Sequence, residues 1–257
     1  MTTNPPAFWR DRLQASAVHL AISLVIAAMA ATLVFGVWYP YPYREISGGR
    51  NLFLLLVSVD VVLGPLLTLA VFNRKKPLAE LKRDLFVVVL LQLGALGYGL
   101  WTVGVARPVH LVFEIDRFRV VHAIEIEPEM LSKAPAGVDA LPLTGPTLLA
   151  VRPFYNSQES MEATLAALQG AQLGFRPDLW EPYAAAIPRI LKVALPVRSL
   201  KDKFRDRTAE IDSLLSAAGA KSDNVVYLPL VSRSNFWTVF LDASDARVIA
   251  TMPVDAF

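Results

Sequence analysis

The sequence predicts a membrane protein made of three transmembrane α-helices followed by a soluble α+β domain. The 257-residue chain is 54% hydrophobic and only 19% charged, with a mean hydropathy of +0.43. Soluble domains are nearer about 45–50% apolar and about 25% charged, so the chain carries an excess of apolar residues. The excess lies in residues 1–106, whereas residues 107–257 mix polar and apolar positions as soluble strands and helices do.

Three long apolar runs predict the membrane spans. None contains Lys, Arg or Glu, and they cover residues 17–38, 51–72 and 85–106. At 1.5 Å per residue, about 22 residues span about 33 Å, which covers a hydrocarbon core of about 30 Å. The first run continues to Trp38 without a polar cleavage region, so we expect a retained span, preceded by a tail at residues 1–16, rather than a cleaved signal peptide.

Basic residues near the span ends predict the orientation. The tail carries Arg10 and Arg12, and the loop between the second and third spans adds Arg74, Lys75, Lys76, Lys82 and Arg83. The opposite side offers only Arg44, Arg50 and Arg107. Because Lys and Arg are enriched in cytoplasmic segments, the tail and the second loop are predicted to be cytoplasmic, and residues 107–257 extracytoplasmic. Tyr39 and its aromatic neighbours are expected at the outer interface.

Asp60 lies near the middle of the second predicted span. A carboxylate at this depth costs roughly 2.5–3.5 kcal/mol on insertion scales, so an intramembrane acid is a functional candidate by default. The alternative is a structural hydrogen bond between helices. Depth counting along the third span gives Tyr98 and Gln92 as possible partners of Asp60. The same counting puts His19 near the cytoplasmic edge of the first span, too far away to interact.

Gly64 and Pro65 follow Asp60 by about one turn. Proline has no N–H to bond the carbonyl of Val61, so the second span is expected to kink here. The hydroxyl of Thr68 is placed to satisfy the freed backbone. Asp60, Gly64, Pro65 and Thr68 are therefore the intramembrane functional candidates.

Small residues at four-residue spacing occur in the first and third spans. Such spacing lets helices approach closely, and the residues are Ser23, Ala27, Ala31, Ala95 and Gly99. They predict either packing within this bundle or a face on which the transmembrane helix of another protein docks.

The soluble domain, residues 107–257, begins with a predicted β-hairpin. Its two strands alternate polar and apolar residues, and a turn at Asp116–Arg117 pairs Ile115 with Phe118 and places Glu114 opposite Arg119. His110 and His122 then fall on opposite faces, which argues against a shared metal ion. The acidic residues after His122 are expected along an exposed strand edge and its turn.

The rest of the soluble domain is predicted as a loop, helices and a three-stranded meander. Residues 134–153, rich in Pro and Gly, are predicted as a surface loop. Ser157 is expected to cap a helix on which Met161, Leu165 and Leu168 share one face, and another helix runs from Ser199 to Gly219. The final three strands are joined by turns that include Ser232–Ser234 and Ala243–Ala246.

The residues exclude several classes of function. The sequence contains no cysteine, so it has no disulfide, thiolate metal site or cysteine nucleophile. Metalloprotease, hydrolase-elbow, phosphate-loop and dinucleotide motifs are missing from it. Its basic residues are not clustered on a helix that reads nucleic acid. We therefore expect a protein without catalytic activity, cofactor, metal or nucleic-acid partner.

The order of motifs resembles one known family. The segment VWYPYPYREISGGRNLFLLLVSVDVVLGPLLTLAVFN, then a basic loop, a third span and PVHLVFEIDRFRVVHA, is similar to the TfpX/TfpZ family of type IV pilin accessory proteins. The Tyr-Pro motif at residues 39–42, the Asp60 to Pro65 motif and residues 113–121 carry the resemblance, and no motif matches after about residue 155.

The resemblance implies a multi-pass protein of the bacterial inner membrane with a periplasmic C-terminal domain. Its implied role is to assist assembly or stability of a type IV pilin, major or minor, with the inner-membrane assembly complex as a further partner. Our hypothesis is that the bundle holds the pilin's apolar helix, with Asp60 paired to a polar group on it, and that the periplasmic domain contacts the pilin head. An extracytoplasmic sensor or other assembly subunit, a transport component and a membrane-bound hydrolase remain as alternatives.

Overall fold

The computed structural model describes residues 5–233 and 235–257. Contacts between residues divide the chain into two compact units, Met1–Ala106 and Arg107–Phe257. The first unit is all helix and the second is built on a mixed β-sheet. Each unit is described by itself.

The helices of the first unit form three long rods and one short connection. The first rod is α1 (Pro5–Leu33), extended by a π-helical turn at Val34–Trp38, and the short connection is α2 (Tyr43–Ile46). The second rod, the middle helix, comprises α3 (Gly49–Ser58), a π-helical turn (Val59–Leu63) and α4 (Gly64–Val71). The third is α5 (Leu78–Val105).

Three helices in the described part of the chain are long and apolar enough to cross a membrane. They cover Trp9–Trp38, Gly49–Val71 and Leu78–Val105. The helices extend beyond the predicted apolar runs: the first begins well before residue 17, and the third starts seven residues before residue 85. Backbone hydrogen bonding continues through polar flanking turns, so a hydropathy pattern marks the apolar core of such a helix rather than its ends.

An apolar core at one end of the bundle surrounds Tyr39. Val34, Phe53, Leu56 and Val103 are buried with it. The Tyr39 hydroxyl donates a hydrogen bond to the Val103 carbonyl oxygen at 3.0 Å. The Tyr39 ring therefore packs between helices, and its hydroxyl is satisfied inside the bundle.

The second unit contains one eight-stranded mixed sheet. Its order is β4-β3-β1-β2-β6-β7-β8, and β5 pairs with β6. The pairs β1–β3 and β2–β6 are parallel, and the others are antiparallel. The strands are β1 (Pro108–Phe113), β2 (Phe118–His122), β3 (Thr147–Val151), β4 (Trp180–Pro182), β5 (Leu195–Pro196), β6 (Val225–Val231), β7 (Phe236–Asp242) and β8 (Val248–Met252).

Four α-helices of this unit connect the strands. They are α6 (Ser157–Leu168), α7 (Tyr183–Val193), α8 (Val197–Lys203) and α9 (Thr208–Ala217). The helix predicted from Ser199 to Gly219 is in fact α8 and α9 with a short 3₁₀ turn between them. Asn156, rather than Ser157, caps α6, because its side chain accepts a hydrogen bond from the Glu159 N–H.

The sheet confirms the predicted hairpin and meander and corrects their details. The hairpin pairs Phe113 with Phe118, a register shifted by two residues from the predicted one. The segment predicted as a loop at 134–153 contains β3, which pairs in parallel with β1. Parallel pairing joins residues far apart in sequence, so local patterns do not reveal it. The predicted turn at Ser232–Ser234 includes Ser234, which lies outside the described residues.

The strand predicted after His122 is also wrong. β2 ends at His122, and residues 123–125 form a 3₁₀ turn in which Glu125 bonds the His122 ring and Arg233. This acidic segment therefore forms a turn held by Glu125, and not the exposed strand edge that was expected.

Candidate functional site

A cleft in the first unit is the best candidate for a functional site. α1 and α5 both pack against the middle helix. Two adjoining cavities lie between them. The outer cavity, of about 800 Å³, is lined mainly by residues of α1 and α5, with Thr68 of α4 and the ion pair of Asp11 and Arg74 at its wall. The inner cavity, of about 100 Å³, shares His19, Ile22 and Val89 with the outer one and ends at Asp60. We call the two cavities together the cleft.

Asp60 is the most unusual residue in the cleft. It is only 7% exposed, and its carboxylate oxygen Oδ1 is buried without a hydrogen-bond partner among the described residues. A buried polar atom is ordinarily hydrogen-bonded, since an unpaired one keeps its desolvation cost. Asp60 therefore lines the inner cavity and carries a buried acceptor that is unpaired among the described residues.

A π-helical turn positions Asp60. In this register a carbonyl accepts from the residue five positions on, and for Asp60 that residue is Pro65, which has no N–H. The side-chain amide of Gln92 on α5 donates to the Asp60 carbonyl instead, at 3.2 Å. Gly64 makes room for this contact, because a Cβ there would lie 1.9 Å from Gln92 Nε2. The predicted backbone disturbance at Gly64-Pro65 thus takes the form of a π turn held by Gln92.

His19 belongs to the cleft, contrary to the expectation that it lies too far away. It lines both cavities, and its Nδ1 is hydrogen-bonded to the Thr68 hydroxyl at 2.5 Å. Thr68 lies about two turns beyond Asp60 on the middle helix, and the inner cavity connects His19 with Asp60 across this distance. Thr68 therefore bonds His19, and the Ser16 hydroxyl donates to the Pro65 carbonyl oxygen, at 2.9 Å.

Of the two predicted partners of Asp60, the structure brings only Gln92 to it. Tyr98 is 70% exposed on the outer side of α5, with its ring centroid 5.8 Å from that of Trp101. Gln92 reaches the Asp60 main chain rather than its carboxylate. The carboxylate interacts electrostatically with His19, and its Oδ1 has no hydrogen-bond partner among the described residues.

The small residues predicted as a docking face do not share one surface. Ser23 is buried in the inner cavity, and Ala31 packs against the Tyr39 core. Gly99 contacts Leu56 so closely that a Cβ would lie 2.6 Å from its side chain. Ala27 is half-buried and Ala95 is exposed. Packing within the bundle therefore accounts for Ser23, Ala31 and Gly99.

Both histidines of the soluble unit are committed to structural contacts. His110 is bonded to the Thr147 hydroxyl at 2.7 Å and to the Ala140 carbonyl oxygen at 3.0 Å, and burial lowers its pKa to about 4. His122 is bonded to Glu125. Burial opposes ionisation of Glu125, but hydrogen bonds from His122 and Arg233 together lower its pKa. No group of three or more metal-binding side chains occurs among the described residues.

The cleft combines apolar walls with a few polar side chains, an arrangement that is typical of binding sites. The walls of its inner cavity are mainly apolar, and the polar side chains that line this cavity are Asp60, His19, Gln92 and Ser23. A hydrogen-bond donor on an otherwise apolar helix would satisfy Asp60 and fill the cavity at the same time.

Comparison with known proteins agrees on one family. A family model described as fimbrial assembly protein FimB matches residues 7–48, which contain most of α1, its π turn and α2. Fimbrial assembly proteins of serogroups I and E1 from Dichelobacter nodosus are each 36% identical over 244 residues, covering 94% of this chain and 95% of the relative.

A third relative covers a smaller part of the chain. The fimbrial assembly protein of serogroups C1 and C2 from the same organism is 41% identical over 119 residues, covering 46% of this chain and 91% of the relative. No solved structure shows significant similarity to the chain. With 36% identity over nearly its whole length to two such proteins, the chain belongs to the family of fimbrial assembly proteins.

Proposed function

We propose that this protein is a non-enzymatic assembly factor of the inner membrane that holds a type IV fimbrial subunit by its apolar helix before the subunit enters the fimbria. A role in fimbrial assembly is supported by the relatives, which are named fimbrial assembly proteins. The resemblance of residues 39–121 to type IV pilin accessory proteins of the TfpX/TfpZ kind supports the more specific role of holding the subunit.

The unpaired Oδ1 of Asp60 is the observation that carries the proposal. An isolated acid in lipid is unfavourable, and the bundle accepts it without supplying a partner for that oxygen. The cleft beside it is walled by α1 and α5, two helices already at membrane length. The apolar helix of the subunit, seated in the cleft, would bury the exposed Ile22 and Val89 and give Asp60 a hydrogen-bond donor.

The orientation follows from the basic residues around the spans. In the proposed arrangement the N-terminal tail and the loop before α5 are cytoplasmic, and the sheet domain is periplasmic. The Asp60 site then lies within the bilayer, where a waiting subunit keeps its apolar helix.

Photo-crosslinking in living cells tests this function. A photoreactive residue at Val89, which faces the cleft, should crosslink to the fimbrial subunit, and one at Leu91, which is exposed outside the cleft, should not. Asp60→Ala should reduce the Val89 crosslink at least fivefold and lower the number of surface fimbriae. Equal crosslinks from both positions, or normal fimbriae in a strain without the protein, would contradict the proposal.

A further inference from the structure

Helix α6 of the second unit exposes its large apolar side chains and buries small ones. Its large apolar side chains face outward, with Met161 65%, Leu165 54% and Leu168 80% exposed. The side facing the domain is made of small residues, with Ala163 fully buried and Ala166 and Ala167 partly buried. The three large residues share one face, as their spacing predicts, and that face is exposed because the helix packs on the domain through its alanines.

The other helices of the same unit show that this arrangement is not a general property of the fold. On α9, Ile211 and Leu215 point into the core and are almost completely buried. The exposed residues of α6 are spaced by four and three positions, so they form one stripe along the helix. Helices that dock into a groove on a partner present apolar anchors at this spacing, and large exposed apolar patches mark interaction sites. We call Met161, Leu165 and Leu168 the α6 stripe.

The acidic residues around the stripe indicate what kind of partner would bind there. Residues 153–175 contain no Lys or Arg, and their acids are Glu159 and Glu162. Glu159 is held by Arg152 and by the Tyr155 N–H, and Glu162 is exposed near the stripe. Helices that lie on anionic membranes carry basic residues beside the apolar ones. The stripe therefore does not match a lipid surface, and it favours a protein with basic side chains.

A cavity beside the end of α6 adds a second acidic feature. It has a volume of about 590 Å³ and is lined by Glu125, Glu127, Met130, Ala166, Gln169, Gly170, Ala171, Phe175 and Arg176. Glu125 is engaged by His122 and Arg233, and Arg176 is paired with Asp178 at 2.7 Å. Glu127 is exposed and forms no ion pair with any described residue. The cavity thus offers one uncommitted carboxylate next to the stripe.

We propose that the α6 stripe and this acidic cavity form a docking surface for the extracytoplasmic part of the fimbrial subunit. The matching segment of the subunit carries apolar side chains that cover Leu165 and Leu168 and a Lys or Arg that reaches Glu127. The identity of the partner rests on the proposed function, but the surface itself is independent of the cleft. A subunit would then be held at two separate sites.

Crosslinking of the full-length protein in cells that make the fimbrial subunit tests the surface. A photoreactive residue at Gln158, which is exposed on α6, should crosslink to the subunit. Glu127→Lys should reduce this crosslink at least fivefold, and the double change Leu165→Ser with Leu168→Ser should abolish it. Leu195→Ser, a change at an exposed leucine on β5, is the matched control and should leave it unchanged. All these positions are exposed, so protein levels should stay normal.

The outcomes separate the two proposals. The docking surface is contradicted if the Gln158 crosslink to the subunit is unchanged by Glu127→Lys and by the double change at Leu165 and Leu168. It is also contradicted if Gln158 crosslinks only to a second copy of this chain or only to lipid. If the Val89 crosslink to the subunit persists in that case, the function of the cleft stands and only the surface is wrong. If neither position crosslinks to the subunit, the proposed function fails as well.

Discussion

The side-chain amide of Gln92 on α5 donates a hydrogen bond to the main-chain carbonyl of Asp60 on the middle helix, at 3.2 Å. This bond takes the place of the backbone donor that Pro65 lacks. It therefore joins two helices at the point where the middle helix changes register. The position of the Asp60 carboxylate depends on it, because the same turn carries both the carbonyl and the side chain.

Gly64→Ala should break the contact between Gln92 and Asp60. A Cβ at residue 64 would lie 1.9 Å from Gln92 Nε2, so the flexible glutamine must swing away and lose its hydrogen bond. The expected loss in unfolding free energy is about 1–2 kcal/mol, the value of an interhelical hydrogen bond in model systems. Reversible unfolding in mixed micelles measures it. Gly94→Ala, where a Cβ meets nothing within 4 Å, is the control and should not destabilise the protein.

Pro65→Ala should separate stability from function. The alanine restores an N–H at the position that the π-helical register requires. This N–H can donate to the Asp60 carbonyl and would compete with the side-chain amide of Gln92 for it. We expect unfolding free energy that is unchanged or higher, together with a severalfold weaker crosslink from Val89 to the fimbrial subunit. An unchanged crosslink in a stable variant would show that the π turn does not position Asp60.

Arg119→Met should destabilise the soluble unit strongly. Arg119 Nε donates to Glu114 Oε1 at 2.8 Å, and the same oxygen accepts from the Gly174 N–H at 3.0 Å, with both side chains largely buried. Removing one partner of a buried ion pair leaves an uncompensated charge and costs about 3–5 kcal/mol.

Denaturant unfolding compares this variant with a matched control. Arg117→Met removes a more exposed ion pair with Asp116 on the same hairpin and should cost less than about 1 kcal/mol. Equal losses in the two variants would mean that burial does not distinguish the pairs.

His110 should make the soluble unit sensitive to acid. Burial holds the pKa of His110 at about 4, below the ordinary 6.5 that applies in the unfolded chain. Between pH 6.5 and pH 4 the unfolded chain binds the proton and the folded one does not, so the free energy of unfolding falls as the pH falls. The difference of about 2.5 pKa units corresponds to roughly 3 kcal/mol across this window, and to no further change above or below it.

Unfolding measured from pH 7.5 to pH 4 checks this expectation. His110→Gln is less stable at pH 7.5, because it alters the bonds to Thr147 and Ala140, but its stability should fall roughly 3 kcal/mol less over the same range. Parallel curves for the two proteins would assign the acid sensitivity to other groups.

Local patterns were sufficient wherever an element is defined by neighbouring residues. The three apolar runs located three membrane-length helices, and alternation located the strands of the hairpin and the meander. The pair of Glu114 and Arg119 was also predicted correctly, although the hairpin register was shifted by two residues. A shift by two keeps every side chain on its face, so the alternating pattern does not distinguish the two registers.

Contacts between distant residues were beyond the reach of these patterns. The parallel pairing of β1 with β3 joins residues more than thirty positions apart, and it turns a Pro- and Gly-rich stretch into part of the sheet. The exposure of the apolar face of α6 also came only from the structure, because spacing shows that apolar residues share a side but not which side meets the domain.

The sequence by itself determined that Asp60 lies in an apolar helix beside Gly64 and Pro65, and that Gln92 is at nearby depth, because these follow from composition and from the rise of a helix. Only the tertiary structure decided that Gln92 bonds the Asp60 carbonyl, that His19 enters the same cleft, and that Tyr98 faces away. The rotation of each helix about its axis is set by side-chain packing against its neighbours, and no local pattern encodes it.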